Sequence, residues 1–213
     1  MVNIKKSINY WNNFYKKKNI LKPSNFSIFC ENFLKKKKYK SKLFDIGCGN
    51  GRDTVFFNKK KIDCIGLDIS SEVIKINKIK FKNIKKNFSN KDFSIFFKKK
   101  INVSFSIYSR FTWHTINDFQ EKILLNYLVK QNKLDYIFIE TRTIKDDLYN
   151  KGTKIGTHEF ITSHYRRFIN PPELKEKLKK NFKIIYFYQG KNLAKFKNEN
   201  PYVLRIIAKK IRK

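Results

Sequence analysis

Residues 44–53, FDIGCGNGRD, set an acid, Asp45, two positions ahead of a G-x-G-x-G run at Gly47, Gly49 and Gly51. Three of the chain's seven glycines fall within five positions. Glycine reaches left-handed backbone and lets a ligand approach the main chain closely. A strand, a glycine turn and a helix start together bring that backbone against a nucleotide at the carboxyl end of a first strand. A dinucleotide fingerprint, G-x-G-x-x-G, needs glycine at 52, where this chain has Arg52. An acid in front of the glycines can instead receive an ammonium group, and the helix start beyond them favours a carboxylate through its dipole. The chemistry indicated is the grip of an amino acid joined to a nucleoside.

The second check is an acid closing the next strand, where a carboxylate can accept from both ribose hydroxyls. IDCIGLDIS supplies Asp68. The pair describes S-adenosylmethionine better than NAD. Through FDIGCGNGRDT and CIGLDIS the chain resembles the class I S-adenosylmethionine-dependent methyltransferases. That resemblance implies that Asp45, Gly47, Gly49 and Gly51, with Arg52 beside them, line the methionine end, that Asp68 holds the ribose, and that Ile69 packs on the adenine. It also puts Asn87 and Phe88, in KNFSN, where the family bonds the adenine amino group. Tighter likeness, in PSNFSIF, GCGNGRDT, RFTWHTI and HYRRFI, is to small methyltransferases encoded among bacterial capsule and surface-polysaccharide genes, including those of O-methyl phosphoramidate synthesis. In that group N-terminal aromatics fold over the cofactor, which implies a lid from Tyr10, Trp11 or Tyr15.

A sulfonium methyl is already activated, so the remaining work is alignment of a nucleophile and exclusion of water. The segment after the fourth strand, IYSRFTWHTI, offers Tyr108 to the cofactor and Arg110 and His114 to catalysis. IETRTIKDD at the end of the fifth strand adds Glu140, Arg142 and Asp146, and SHYRRF adds His164, Tyr165 and Arg166. A neutral histidine beside a hydroxyl would serve as a base, whereas a phosphate or phosphoramidate oxygen is anionic already and needs only positioning. Arg110, Arg142, Tyr165 and Arg166 are the expected substrate ligands, because a planar guanidinium grips phosphate or carboxylate in two places. NPPE at 170–173 reads as a helix start, not as the amino-base methylation motif, and the strand ends carry no acidic set for a metal-dependent catechol-type enzyme.

Short apolar runs alternate with helical patterns, the signature of a parallel α/β sheet. Strands are expected near 43–46, 62–67, 83–87, 102–107, 134–140, 182–188 and 202–209, with helices near 52–59, 71–80, 89–98, 115–132 and 172–180. The fold class is α/β: a Rossmann-like, seven-stranded, mostly parallel sheet with helices on both faces. Residues 1–213 form one domain, 1–40 an N-terminal helical cap and 41–213 the core. Residues 141–170 read as one long irregular loop, a length that in a compact domain marks function.

The formal charge of +32 suggests nucleic acid or an anionic surface as partner, yet 42 lysines against seven arginines and only two alanines look like the output of an AT-rich genome. Lysine runs are then solvated surface, and the arginines carry the information. Three cysteines without C-x-x-C spacing indicate neither a disulfide framework nor a zinc site and fit a reducing cytoplasm. No apolar run approaches a membrane span. The expectation is an O-methyltransferase acting on a small phosphorylated, nucleotide-linked or sugar-type acceptor. Its alternatives are an RNA methyltransferase using the lysine-rich surface and a non-catalytic cofactor-binding protein.

Overall fold

The computed structural model describes residues 9–13, 22–196 and 198–212. Seven strands lie in the order β3-β2-β1-β4-β5-β10-β9. They are β1 (Lys42–Ile46), β2 (Cys64–Asp68), β3 (Phe88–Asn90), β4 (Phe105–Arg110), β5 (Leu134–Arg142), β9 (Phe182–Gly190) and β10 (Val203–Lys210). All pairs are parallel except those that β10 makes with β5 and β9. Order reverses between β1 and β4, and in open α/β sheets that switch point is where ligands bind.

Each face of the sheet is covered because its strands are apolar on both sides. Leu43, Tyr108, Phe138 and Ile207 pack against Phe26, Cys30 and Leu34 of α2 (Asn25–Lys36) and Phe57 of α3 (Arg52–Lys59). The other face buries Phe44, Ile46, Ile107 and Ile139 under α5 (Phe93–Phe96), α6 (Asp118–Val129) and α7 (Pro171–Lys179). The helix starts are written locally. Ser70 caps α4 (Ser71–Lys80), Asn117 and Gln120 form a reciprocal capping box on α6, and Pro171 opens α7 where a missing N–H costs nothing. Ahead of α2 the chain is helical at residues 9–13 (α1). Among the described residues no helix is long and apolar enough to cross a membrane.

Three expectations need correction. The third strand is not at 83–87: Lys82–Asn87 is a 3-10 turn with exposed lysines, and β3 begins at the buried Phe88. The helix expected over 89–98 shrinks to α5, capped by Asp92. Residues 141–170 are not one irregular loop, since β6 (Thr153–Gly156), β7 (Glu159–Ile161) and β8 (Tyr165–Arg167) form a separate antiparallel sheet.

One buried carboxylate ties the cap to the core. Asp53, in the first turn of α3, accepts from the Ser24 N–H, the Ser24 hydroxyl and the Tyr108 hydroxyl, each at 2.8 Å. The same Ser24 Oγ caps α2 by accepting from Ser27 N–H. Ser24→Ala therefore removes a helix cap and leaves a buried carboxylate short of a donor, a loss of about 2 kcal/mol. Thermal unfolding should fall by roughly 4–8 °C for a chain of this size. Tyr108→Phe, which removes one of those bonds, should cost about half as much.

Candidate active site at the carboxyl edge of the sheet

At the end of β1 the backbone turns through Gly47, Gly49 and Gly51, all left-handed, with φ of 68°, 51° and 75°. The turn is fastened to β2: the Gly47 and Cys48 N–H groups both donate to Leu67 O, at 2.7 and 3.0 Å, and Gly49 N–H donates to Asp68 Oδ2 at 2.9 Å. Asn77 closes it from α4 by donating Nδ2–H to Gly49 O at 2.7 Å. A Cβ on Gly47 would run into the Thr112 side chain, and one on Gly51 would meet the Phe88 ring at 2.7 Å. At these two positions glycine is thus required by both conformation and space.

Asp45 is buried beside the turn, its Oδ2 accepting from Thr54 Oγ1 at 2.6 Å. Burial, then the Asp53 charge, pushes its carboxyl up to about 8 against the opposing Thr54 hydrogen bond and Arg52. Among the described residues no cation stands within ion-pair distance of Asp45, and an ammonium ligand would supply one. Asp68 ends β2 with each oxygen accepting one backbone N–H, from Gly49 and Ser70. Each oxygen keeps a second lone pair for a ribose hydroxyl. Ile69, half-buried, follows it. Asn90, unforeseen in the sequence, is paired with Asp68 in the sheet and donates to both Asp68 O and Ile69 O.

Three cofactor assignments do not hold as read, and a fourth falls outside the described residues. Tyr108 is fully buried among Phe26 and Phe57 with its hydroxyl on Asp53, so it belongs to the core. Phe88 packs beneath Gly51 and stacks on Phe81. Asn87 donates to Cys64 O and Asn58 Oδ1 at the amino end of β2, the wrong edge of the sheet. Tyr15 lies outside the described residues. Arg52 opens α3 with its Nε 3.8 Å from Asp53 Oδ1 and acts on Asp45 electrostatically.

The acceptor side adjoins the glycine turn through Thr112, whose hydroxyl donates to Ile46 O at 2.8 Å. After it comes a buried 3-10 turn, Trp113–Thr115. Trp113 Nε1 donates to Glu121 Oε2 at 2.6 Å, and Arg167 and Lys177 bind the same carboxylate. His114 is thereby fixed with Arg142, Arg166, His164 and Arg110 around it, and burial followed by those cations holds it well below the usual imidazole range. Phe111, at φ 55°, lies between the Arg110 and Arg142 guanidiniums, 4.3 and 5.6 Å from its ring centre.

The arginines differ in what they have left to give. Arg142 spends Nη1 on both oxygens of Asp146, at 2.9 and 3.0 Å, and Nη2 on Glu199 at 2.8 Å, so it is chiefly a clamp and not the free fork expected. Tyr165 is buried and alternates with Arg166 along β8, sharing the buried face with Arg167, so it does not stand beside Arg166 as the substrate assignment expected. Arg166, one residue along, has only the Thr162 hydroxyl on its Nη1 and, among the described residues, no carboxylate within ion-pair distance. Burial and Arg142 depress its basicity. His164 is stacked on Tyr10 at 4.3 Å and edged by Trp11 at 5.0 Å, and burial, then Arg166, brings it to about 3. On the ribose side of the same helical segment Asn12 accepts from Ser70 Oγ. Residues 9–13 therefore touch both halves of the cleft.

Residues 25–186 match a family described as methyltransferase domain. No curated protein matches the chain. Among solved structures, a methyltransferase from Methanosarcina mazei superimposes with a TM-score of 0.69 at 17% identity, covering 82% of this chain and 94% of that one. One from Anabaena variabilis gives 0.69 at 19%, covering 99% and 96%. A third, from Clostridium acetobutylicum, gives 0.67 at 14%, covering 97% and 98%. At these identities the likeness establishes the fold.

Because Asp45 is raised from 3.8 to about 8, its protonated form contributes stability that is complete below pH 4 and is lost as pH climbs through 8. Asp45→Asn should flatten that decline and raise the melting temperature of the ligand-free protein at pH 8. Binding of S-adenosylhomocysteine, whose ammonium needs the ionised carboxylate, should release close to one proton from the wild type at pH 6.5 and almost none from the variant. Calorimetry in buffers of different ionisation enthalpy reads this directly, and equal proton release by both would remove Asp45 from the ligand's ammonium.

Proposed function

The chain belongs to the methyltransferase-domain family, and from that premise we propose that it transfers a methyl group from S-adenosylmethionine to an oxygen of a small anionic acceptor. The glycine turn, with no room for side chains at Gly47 and Gly51, and the cation-starved Asp45 fit this cofactor. In this reading Asp45 takes the ammonium, the N-terminus of α3 faces the carboxylate, Asp68 accepts from the ribose hydroxyls, and Ile69 covers the adenine. When bound, the cofactor supplies a methyl group already activated on a sulfonium.

The observation that carries the acceptor class is Arg166, a half-buried cation whose guanidinium contact is a neutral hydroxyl, set among Arg110, His114 and His164 next to the glycine turn. A desolvated guanidinium lacking a carboxylate favours an oxyanion strongly. His164 at about 3 and the depressed His114 are neutral and weakly basic at physiological pH. A base so weak suits an acceptor oxygen that is ionised beforehand, so phosphate or phosphoramidate is favoured over an alcohol. His114 and His164 then orient the acceptor and exclude water, with Tyr10 and Trp11 closing over His164.

The likeness of HYRRFI and RFTWHTI to surface-polysaccharide methyltransferases supports a nucleotide-linked or sugar-type carrier for that anion. Three buried free thiols support a cytoplasmic setting. The RNA reading gains little from the lysines: Lys37, Lys38, Lys40, Lys209 and Lys210 gather in a groove at the amino edge of the sheet, opposite the cleft.

The test is methyl transfer from isotopically methyl-labelled S-adenosylmethionine to nucleotide-linked phosphates and sugars, run beside total RNA at moderate salt. Label on a phosphorylated small molecule is expected, and label on RNA alone would overturn the acceptor class. Arg166→Lys should lower kcat/KM for the acceptor about 10–100-fold, since a point charge cannot replace the fork, while S-adenosylmethionine affinity stays within about twofold. Equal loss of both would make Arg166 structural. Between pH 6 and 8, kcat at saturating cofactor should show no ascending limb near 6.5, because neither histidine titrates there.

A further inference from the structure

Two candidate acceptor residues, His114 and Arg166, each stand next to a residue held by the same carboxylate. Glu121 is buried in the first turn of α6, where the capping box of Asn117 and Gln120 fixes the helix start. Its Oε2 accepts from Trp113 Nε1 at 2.6 Å and from Arg167 Nη2, and its Oε1 accepts from Lys177 Nζ of α7 at 2.8 Å. Trp113 precedes His114 in the buried 3-10 turn, and Arg167 follows Arg166 on β8. Asp118, also in the first turn of α6, lies 3.3 Å from Arg167 Nη1 and 2.6 Å from Lys177 Nζ. Two cations thus face two carboxylates, and Arg167 is neutralised within the fold.

We infer that Glu121 is a positioning residue for the acceptor: by holding the Trp113 indole and the Arg167 guanidinium on one oxygen, it sets the spacing between His114 and Arg166. The inference rests on the proposed anionic acceptor. Side chains alternate along a strand, so Arg167 drawn inward onto α6 turns Arg166 to the opposite face of β8. Among the described residues β8 pairs with β7 alone in its sheet, which leaves its other side to be fixed by side chains. The turn that carries His114 is three residues long, and so short a 3-10 segment has little backbone bonding of its own to hold it in place. Hydrogen bonds to a buried carboxylate are strong enough to do this for both segments. With three donors on its two oxygens, Glu121 acts through its neighbours and not on the acceptor.

The experiment titrates pyrophosphate, as a stand-in oxyanion, into protein saturated with S-adenosylhomocysteine, followed by calorimetry. Glu121→Asp keeps the charge but withdraws the carboxylate by one methylene, and should weaken pyrophosphate roughly tenfold while S-adenosylhomocysteine affinity changes less than about twofold. Glu121→Gln keeps the reach but removes the charge, and its amide cannot accept at both ends, so it should weaken pyrophosphate as well. A Glu121 that acted only through its field would give the opposite sign, since one negative charge fewer tightens an anion. Unchanged or tighter pyrophosphate binding by either variant overturns the inference, and so does an equal loss of both ligands, which would make Glu121 structural. Arg167→Lys keeps a cation but cannot bridge Glu121 and Asp118 as the fork does, and should weaken pyrophosphate about threefold. If the Glu121 variants do not fold, unchanged binding by Arg167→Lys overturns the inference. No binding by the wild type overturns the anionic-acceptor reading and this inference with it, whereas wild-type binding that the variants retain overturns the inference alone.

Discussion

The active edge depends on a backbone turn that cannot carry side chains. Five consecutive residues, 47–51, bend through three left-handed glycines so that two successive N–H groups reach the single carbonyl of Leu67. The elements around them are placed by what fills the missing Cβ positions: Thr112 against Gly47, Phe88 and Asn77 against Gly51. The turn thereby fixes the entry of β3, the start of α3 and the segment after β4 together. That segment follows Arg110 at the end of β4 and carries His114, so its distance from the glycine turn is set by the β1–β4 pairing and by the Thr112 hydroxyl on Ile46 O.

Charge divides the carboxyl edge in two. Around β1 and β2 lie Asp45, Asp53 and Asp68, all buried, with Arg52 beside Asp53. Around β4, β5 and β8 lie Arg110, Arg142 and Arg166, with Glu140, Asp146 and Glu199 insufficient to balance them and Arg205 together. Under the proposed function, a donor cationic at both its ammonium and its sulfonium would take the first half and an oxyanion the second. Asp45 on the first half and Arg166 on the second are desolvated groups with, among the described residues, no opposite charge within ion-pair distance, and a ligand of the opposite sign would offset that cost. The unfavourable ionisation of Asp45 and the depressed basicity of Arg166 are the same effect with opposite sign.

The sequence brought the glycine turn, Asp45 and Asp68 to one edge correctly and the residues after β4 only partly so, for a physical reason. Asp45, the three glycines and Asp68 are close in sequence, and their positions follow from spacing along two adjacent strands. Tyr108 lies equally near the edge in sequence, yet strand alternation turns it into the core beneath α2, and the apolar residues around it in β4 give no sign of which face is which. The third strand was set too early because Ile84 in KNIKK imitates an apolar strand residue, although the lysines around it are exposed and the pairing begins at Phe88. The small sheet β6-β7-β8 escaped notice because β6 is mostly exposed and shows no alternation to detect.

Arginine in a lysine-saturated chain proves to mark two kinds of position. Lysine pairs here are largely at the surface, as with Asp147 and Glu176, where a hydrated ammonium serves. Arg142, Arg167 and Arg205 are instead nine-tenths buried on carboxylates, where a weakly hydrated planar cation can be desolvated and an ammonium cannot without greater cost. Arg212, exposed on Asp135, is the exception; the buried arginines are those that work out of water, for the fold or, under the proposed function, for a ligand. What separates the two is the partner: Asp146 stands four residues from Arg142 and could be read as its mate, whereas Glu199 lies 57 residues away and only the fold reveals it. Among the described residues Arg166 has neither, and that difference, not the count of arginines, is what the proposed oxyanion acceptor rests on.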